Sequence, residues 1–586
     1  MYQSSISGLN RIESKKVLMR RALFAILACL PLCLLGWAGY CGWQYLAAPD
    51  VAEVPVLASG HQEVAWFAPA TSGDGWERLV AALKNLQKDW VTVHPDLPPL
   101  QVSFDDAFLD QTASIPQIAL SFVGFDNTKL WIRWYKISGE IQEQDWLAKL
   151  HERGRAPLAI IGGDSSDQAL SLARELKKME EKWAGPLFLV KTATLDRFDD
   201  DPTDSGEEPT DLTIDKYKKF ISVYENRTFR FCFTNEHIAH AVLDFVQDNP
   251  RVWPANQDPL VLAGFTAQEN SLNCLGILAA GGYGRSVHLS ALAWVDDHYS
   301  QDLANRMFKV FQKFFYHGDL LAAAPHYLPH YVNYSVGGFY QPNPREQLAV
   351  DSLLDEKSAR AGCHHLLAMP TGVQPARRVL RTLCRRAPAE VQDLVVITGD
   401  SISFNNVYRD GELEWNILDM PVPLIFFSHR NPIDESAGFR PRTEARTDDR
   451  QQTDFPTTGT HEILVLRDIV EALVQAAWNK TAWSADPDAV REHLRQSRWN
   501  AGRVFGSGSA GLPLFDAEGN RRTHTGEHVI WLQPAVEQGR NLPRASLSVW
   551  RIDRQISDSN TWERVGEPIM INYHSAREVG NRHAGD

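Results

Sequence analysis

Residues 157–194, PLAIIGGDSSDQALSLARELKKMEEKWAGPLFLVKTAT, constrain the fold more than any other stretch of the chain. Leu158 to Ile161 is a short continuous apolar run, and Gly162 and Gly163 end it. Asp164, Ser165 and Ser166 then offer side-chain oxygens where a helix must begin. Ala169, Leu170, Leu172, Ala173 and Leu176 recur at helical spacing, and Leu187 to Val190 is a second apolar run, with Thr192 and Thr194 directly behind it. The spacing predicts a strand, a helix and a second strand. Hydroxyls stand at the carboxyl ends of both strands, the edge at which open α/β sheets hold small ligands.

The same alternation runs along the chain. Strands are expected over Glu63–Pro69, Lys129–Lys136, Phe229–Phe233, Leu289–Val295, Cys363–Met369, Asp393–Thr398 and Leu424–Phe427. Helices are expected from Trp76 through Leu86, and over Trp146–Arg153, His237–Gln247, Gln301–Phe315, Pro375–Arg386, His461–Trp478 and Pro487–Arg498. Strands alternating with helices imply parallel sheets. Near the end the pattern changes to strands at Leu514–Asn520, Val529–Gln533 and Leu547–Ile552. A chain of 586 residues exceeds one ordinary core, so several domains are expected.

Charge narrows the function. The formal net charge is −14, which argues against a nucleic-acid partner, for which a basic stripe is needed. Ala22 to Trp43 holds no charged residue and has the length of a membrane span, roughly 20 residues. Arg11, Lys15, Lys16, Arg20 and Arg21 precede it, while Asp50 and Glu53 follow, so the N-terminus is expected in the cytoplasm and the bulk of the chain outside. A cleaved signal peptide is the alternative, but Ala47-Ala48 before Pro49 is a poor cleavage site. Outside the span, Cys232, Cys274, Cys363 and Cys384 allow up to two disulfides in an oxidising compartment, and their spacing carries no metal signature. Asp196 to Asp215 contains nine acidic residues among Pro, Ser and Gly and reads as a solvated loop without EF-hand spacing.

The order of these pieces resembles the type I periplasmic-binding-protein family, which includes branched-chain amino-acid binding proteins of ABC importers and receptor ligand-binding domains. IIGGDSS (Ile160–Ser166) is similar to the family's IIGP-x-SS loop, and KTAT (Lys191–Thr194) to its SATS loop. Glu225–Val246, Leu289–Phe311, His461–Ala477 and Gly511–Arg521 resemble four further family segments in the family's order. Ser300 stands where the family has Gly and Arg467 where it has Tyr, while residues 84–128, 248–287 and 316–360 look like insertions.

The resemblance implies a two-lobed α/β fold with parallel sheets, preceded here by one transmembrane helix. The expected layout is a cytoplasmic basic tail (1–21), the anchor (22–43), a linker (44–60), lobe 1 (61–287) and lobe 2 (288–430). A return to lobe 1 (431–500) and a C-terminal segment (501–586), which completes lobe 2 and adds a β-rich tail, follow. The implied function is clamping of a small polar solute, an amino acid or amide, without cofactor or chemistry, for an ABC permease or a sensor partner. Carried over by position, Ser165, Ser166, Thr192 and Thr194 line one wall, with Tyr299, Asp400 and Ser401 opposite. A helix N-terminus behind Ser165 and Ser166 would add backbone donors.

Two alternatives stand beside this reading. The fold can serve protein–protein contact at the cell surface, as the departures at Ser300 and Arg467 suggest. LVVITGDSISFN (Leu394–Asn405) also resembles the first block of SGNH hydrolases, with Ser401 as nucleophile. That chemistry needs a positioned base, and none of the 19 histidines has Asp three residues before it.

Overall fold

Two sheets of the same parallel order organise the chain. The computed structural model describes residues 53–104, 114–180, 185–198, 218–249, 287–294, 297–315, 329–332, 344–359, 364–391, 394–401, 422–428, 460–500, 503–522, 528–536, 544–554, 560–564 and 569–572, with a few single positions between them. In the first sheet β1 (Gln62–Pro69) lies between β4 (Leu130–Ile137) and β5 (Ala159–Gly162), and β6 (Leu187–Val190) and β9 (Thr228–Arg230) continue outward, all parallel. Two antiparallel strands, β2 (Leu100–Phe104) and β3 (Gln117–Phe122), extend the β4 edge. In the second sheet β10 (Val287–Trp294) lies between β11 (Pro329–Val332) and β12 (His364–Ala368), followed by β13 (Leu394–Ile397) and β14 (Leu424–Ser428). Counting parallel strands alone, both sheets run 2-1-3-4-5. Antiparallel β18 (His528–Val536) and β19 (Arg544–Arg554) then widen the second sheet, and both β20 (Asn560–Arg564) and β21 (Ile569–Asn572) pair with β19. Outside the two sheets β7 (Arg197–Phe198) pairs with β8 (Lys218–Lys219), and β15 (Arg498–Asn500) with β16 (Arg503–Phe505) and β17 (Leu512–Pro513).

Helices cover both faces of each sheet. They are α1 (Gly73–Val93), α2 (Glu143–Glu152), α3 (Ser166–Met179), α4 (Asn235–Asp248), α5 (His298–Phe315), α6 (Pro344–Ala359), α7 (Val373–Cys384), α8 (Thr460–Ala477) and α9 (Pro487–Arg495). Strand β1 is apolar from Val64 onward, and its packing shows why. Val64, Trp66 and Ala68 face the α1 and α8 side, while Ala65 and Phe67 face the α2 and α3 side. A strand buried on both faces has no polar alternation to offer. On the second sheet, α6 and α7 pack on one face and α4 and α5 on the other.

The chain crosses between lobes more than once. Phe233, Ile238 and Val242 lie in the core of the second sheet, so α4 belongs to lobe 2, although its position in sequence falls inside the expected lobe 1 (61–287). The chain therefore leaves lobe 1 directly after β9. It returns as α8, whose Leu466, Ile469 and Leu473 lie in the core of the first sheet, and crosses again between Arg522 and β18. The expected segment 501–586 is divided by this last crossing, because Val504, Leu514 and Phe515 pack in lobe 1.

Several element expectations need correction. Leu514–Asn520 is a turn rather than a strand, because Asp516 Oδ1 accepts from the amides of Glu518, Gly519 and Asn520. Gly519 sits at φ +102° there, which favours glycine. The stretch 84–128, read as an insertion, supplies the end of α1 and the β2–β3 pair. Among the described residues no helix is long and apolar enough to cross a membrane. The expected tail (1–21) and anchor (22–43) lie outside the described residues, as do most of the acidic loop and residues 253–286. Cys232 carries a free, buried thiol, and Cys274 and Cys363 lie outside the described residues.

Candidate functional site

The strand–helix–strand unit folds as its residues dictate. After β5, Gly163 takes φ +78°, and a Cβ there would stand 2.8 Å from the Ala169 Cβ. This lets the loop turn tightly into α3. Ser165 caps that helix, its Oγ accepting from the Gln168 amide at 3.2 Å, and Ser166 is its buried first residue. Thr192, after β6, donates to the carbonyls of Gly163 and Asp164 at 3.2 and 3.0 Å, tying the two loops together. Thr194 is buried, and its carbonyl accepts the Asn235 amide at 2.8 Å. Its hydroxyl has no partner among the described residues.

Lobe 2 presents the matching edge. Asp297 caps α5, its Oδ1 accepting from the amides of Tyr299 and Ser300 at 3.0 and 3.2 Å. Ser300, where a glycine was expected by resemblance, is fully buried, and its Oγ accepts the Trp294 amide at 3.0 Å. The hydroxyl therefore closes the turn between β10 and α5. Tyr299 is almost buried and donates to Asp400 Oδ1 at 3.0 Å within its own lobe. Its hydroxyl stands over Gly399, where any Cβ would collide with it. Burial, then the nearby Asp400 charge, pushes the Tyr299 hydroxyl well above the usual phenol range. Ser401 Oγ donates to the Thr371 carbonyl. A hydroxyl committed to a carbonyl oxygen is not set up as the nucleophile that an SGNH hydrolase would need.

The two edges meet. Asp167 in the first turn of α3 and His298 at the start of α5 are 2.6 Å apart, Oδ1 to Nδ1. Both helices start from carboxyl ends of strands, so the contact sets the two sheet edges face to face. Lys191, buried behind Thr192, pairs with Asp164 at 2.7 Å and lies 5.7 Å from the centre of the Trp66 ring. Lys191, Asp167, Asp297 and His298 were not among the expected site residues. A charged residue directly after a buried strand was the available signal for Lys191.

A buried polar network pins the first crossing. Asp302 on α5 accepts from the Asp196 amide and from Asn235 Nδ2, both at 2.8 Å, and from Arg306 Nε at 3.4 Å. Arg230 of β9 donates to Asp196 Oδ1 at 3.1 Å, and Arg306 reaches Glu236 at 3.1 Å. Burial, then the Asp196 charge, raises the Asp302 carboxyl to about 6. Among the described residues no group of three or more His, Cys, Asp or Glu is placed to hold a metal ion.

No model of a known protein family and no curated protein matches the chain. Among solved structures it is similar to an ABC transporter substrate-binding protein from Desulfitobacterium hafniense in complex with Leu, at 16% identity and TM-score 0.40, covering 86% of this chain and 99% of that one. It is also similar to a putative branched-chain amino acid ABC transporter from Rhodospirillum rubrum, at 12% identity and TM-score 0.38, over 80% and 97%. A third is the LpoA C-domain from Haemophilus influenzae, a regulator of PBP1A, at 12% identity and TM-score 0.32, over 80% and 97%. At such scores the fold rests on the strand order seen in this chain itself. The paired 2-1-3-4-5 sheets, the helices exchanged between lobes and the facing carboxyl edges make it a two-lobed α/β fold of the type I periplasmic-binding arrangement that its motifs resemble.

Proposed function

We propose that this chain is an extracytoplasmic binding protein that holds a small polar solute, an amino acid or amide, between its two lobes. The observation that carries the reading is the facing of the two carboxyl sheet edges across the Asp167–His298 contact. Edges of this kind are where open α/β sheets place ligands. The buried Thr194 hydroxyl, which has no partner among the described residues, supplies a group for a solute to satisfy. Ser165, Ser166, Thr192, Tyr299, Asp400 and Ser401 complete the proposed lining. The solute is held without chemistry and passed to a permease or reported to a sensor. Residues 22–43, with the basic residues before them, anchor the chain in the membrane and leave the lobes outside.

The test is thermal unfolding against a panel of amino acids, amides and small anions. A true solute at a hundredfold excess over its dissociation constant adds about 2.7 kcal/mol of stability. A panel without any shift counts against solute binding.

One observation favours a second reading, protein–protein contact. Ser165, Thr192, Tyr299 and Ser401 all make hydrogen bonds inside their own lobes. Groups so committed support a folded surface without a solute. A silent panel together with a protein partner that binds across both lobes would favour this reading.

A further inference from the structure

The contact that joins the two edges is made by a histidine and a carboxylate. Asp167 is the second residue of α3 in lobe 1, and His298 the first residue of α5 in lobe 2. Their 2.6 Å hydrogen bond differs in character from the Asp302 network at the first crossing: that network is buried, whereas Asp167 and His298 are 49% and 32% exposed. The crossing thus has the properties of a pivot, and the exposed pair those of a catch that water can enter.

The charges around His298 come from both elements. Asp167 on α3 and Asp297 at the head of α5 favour the imidazolium, while Arg174 on α3 opposes it. The positive end of α5 itself also disfavours a cation in its first turn. The balance raises His298 above its ordinary value, with the hydrogen bond to Asp167 as the largest cause and burial as the main opposing one. Asp297 is pushed up to about 6, chiefly by burial and then by the Asp167 charge. When Asp297 takes a proton it ceases to repel Asp167 and also ceases to attract His298. Those two changes oppose each other, so the direct Asp167–His298 bond sets the sign.

We propose that Asp167 and His298 form a pH-sensitive latch that holds the lobes closed under mildly acidic conditions and releases them as His298 loses its proton. A bond to the imidazolium is fully present below the ordinary histidine value. It is lost as pH rises through the raised value that His298 has in the latched state. A solute bound in the cleft would then be retained in acid and released more readily at alkaline pH. The latch rests on the two-lobed binding reading, because it acts only where the lobes separate.

The test is energy transfer between dyes on genetically encoded residues at positions 178 and 348, in the full chain without solute. Lys178 on α3 and Leu348 on α6 are exposed and lie on different lobes. For a partly exposed ion pair the closed-to-open ratio should fall roughly three- to fivefold between pH 6 and pH 8. His298→Gln, which cannot titrate there, should abolish the change. His298→Lys, cationic at both values, should keep the chain closed at both. A wild-type ratio that does not respond to pH, or a response that survives in H298Q, overturns the latch. That failure leaves any solute-induced thermal shift intact, whereas loss of the solute reading shows as a silent panel while the pH response persists.

Discussion

Replacing Asp302 by Asn tests the first crossing through its pH dependence. Asp302 accepts from Asp196, Asn235 and Arg306, yet burial and the Asp196 charge hold its carboxyl at about 6 rather than 3.8. The folded state binds this proton more tightly than the unfolded chain does. Its stabilising effect is therefore complete below 3.8 and lost as pH rises through about 6. A displacement of about two units corresponds to roughly 3 kcal/mol in all, of which about 2 kcal/mol falls between about pH 4.5 and pH 7. The amide that D302N introduces does not titrate, so the variant lacks that loss. Urea unfolding of both chains across this range isolates the group, because other titrations cancel in the difference. The wild-type advantage should shrink, or the deficit grow, by about 2 kcal/mol from acid to neutral pH. A difference that is flat with pH would show that Asp302 is not buried beside Asp196 and would refute the pinned crossing.

Other perturbations give equally direct outcomes. Gly399→Ala should cost about 1–3 kcal/mol in urea unfolding, because its Cβ would land on the Tyr299 hydroxyl and Leu303 Cδ2. Thr194→Val removes a buried hydroxyl that has no partner among the described residues, so the melting temperature should hold or rise while affinity for a solute found in the panel falls about tenfold. Cys232 is fully buried, and burial pushes its thiol up to about 12, so a thiolate-specific reagent should leave it unlabelled in the native chain and label it on unfolding.

Local structure was legible in the sequence because apolar period and capping oxygens are local signals. The run Leu158–Ile161, the cap at Ser165 and the strand at Leu187–Val190 appear where their residues predict. Partnership between elements was not legible. The helix over Asn235–Asp248 is plain in its spacing, but an apolar face does not say which sheet it will cover, and it covers the second. The Asp516 turn was misread because Leu514 and Phe515 imitate the start of a strand. The site followed the same division. Hydroxyls at strand ends could be named from sequence, but Tyr299 bonding to Asp400, 101 residues on, required the fold. The Asp167–His298 contact spans 131 residues and joins two lobes, and no periodicity records such a pair.

Solute binding between the lobes is tested most directly by Asp400→Asn. The substitution keeps the shape of the side chain beside Tyr299 and removes only its charge. Calorimetric titration with the solute that stabilises the wild-type chain should then show affinity at least about tenfold weaker, with the melting temperature of the unliganded protein little changed, as for loss of a hydrogen bond to a charged group. Unchanged affinity in D400N would place the solute away from the carboxyl edge of lobe 2 and contradict the two-walled cleft.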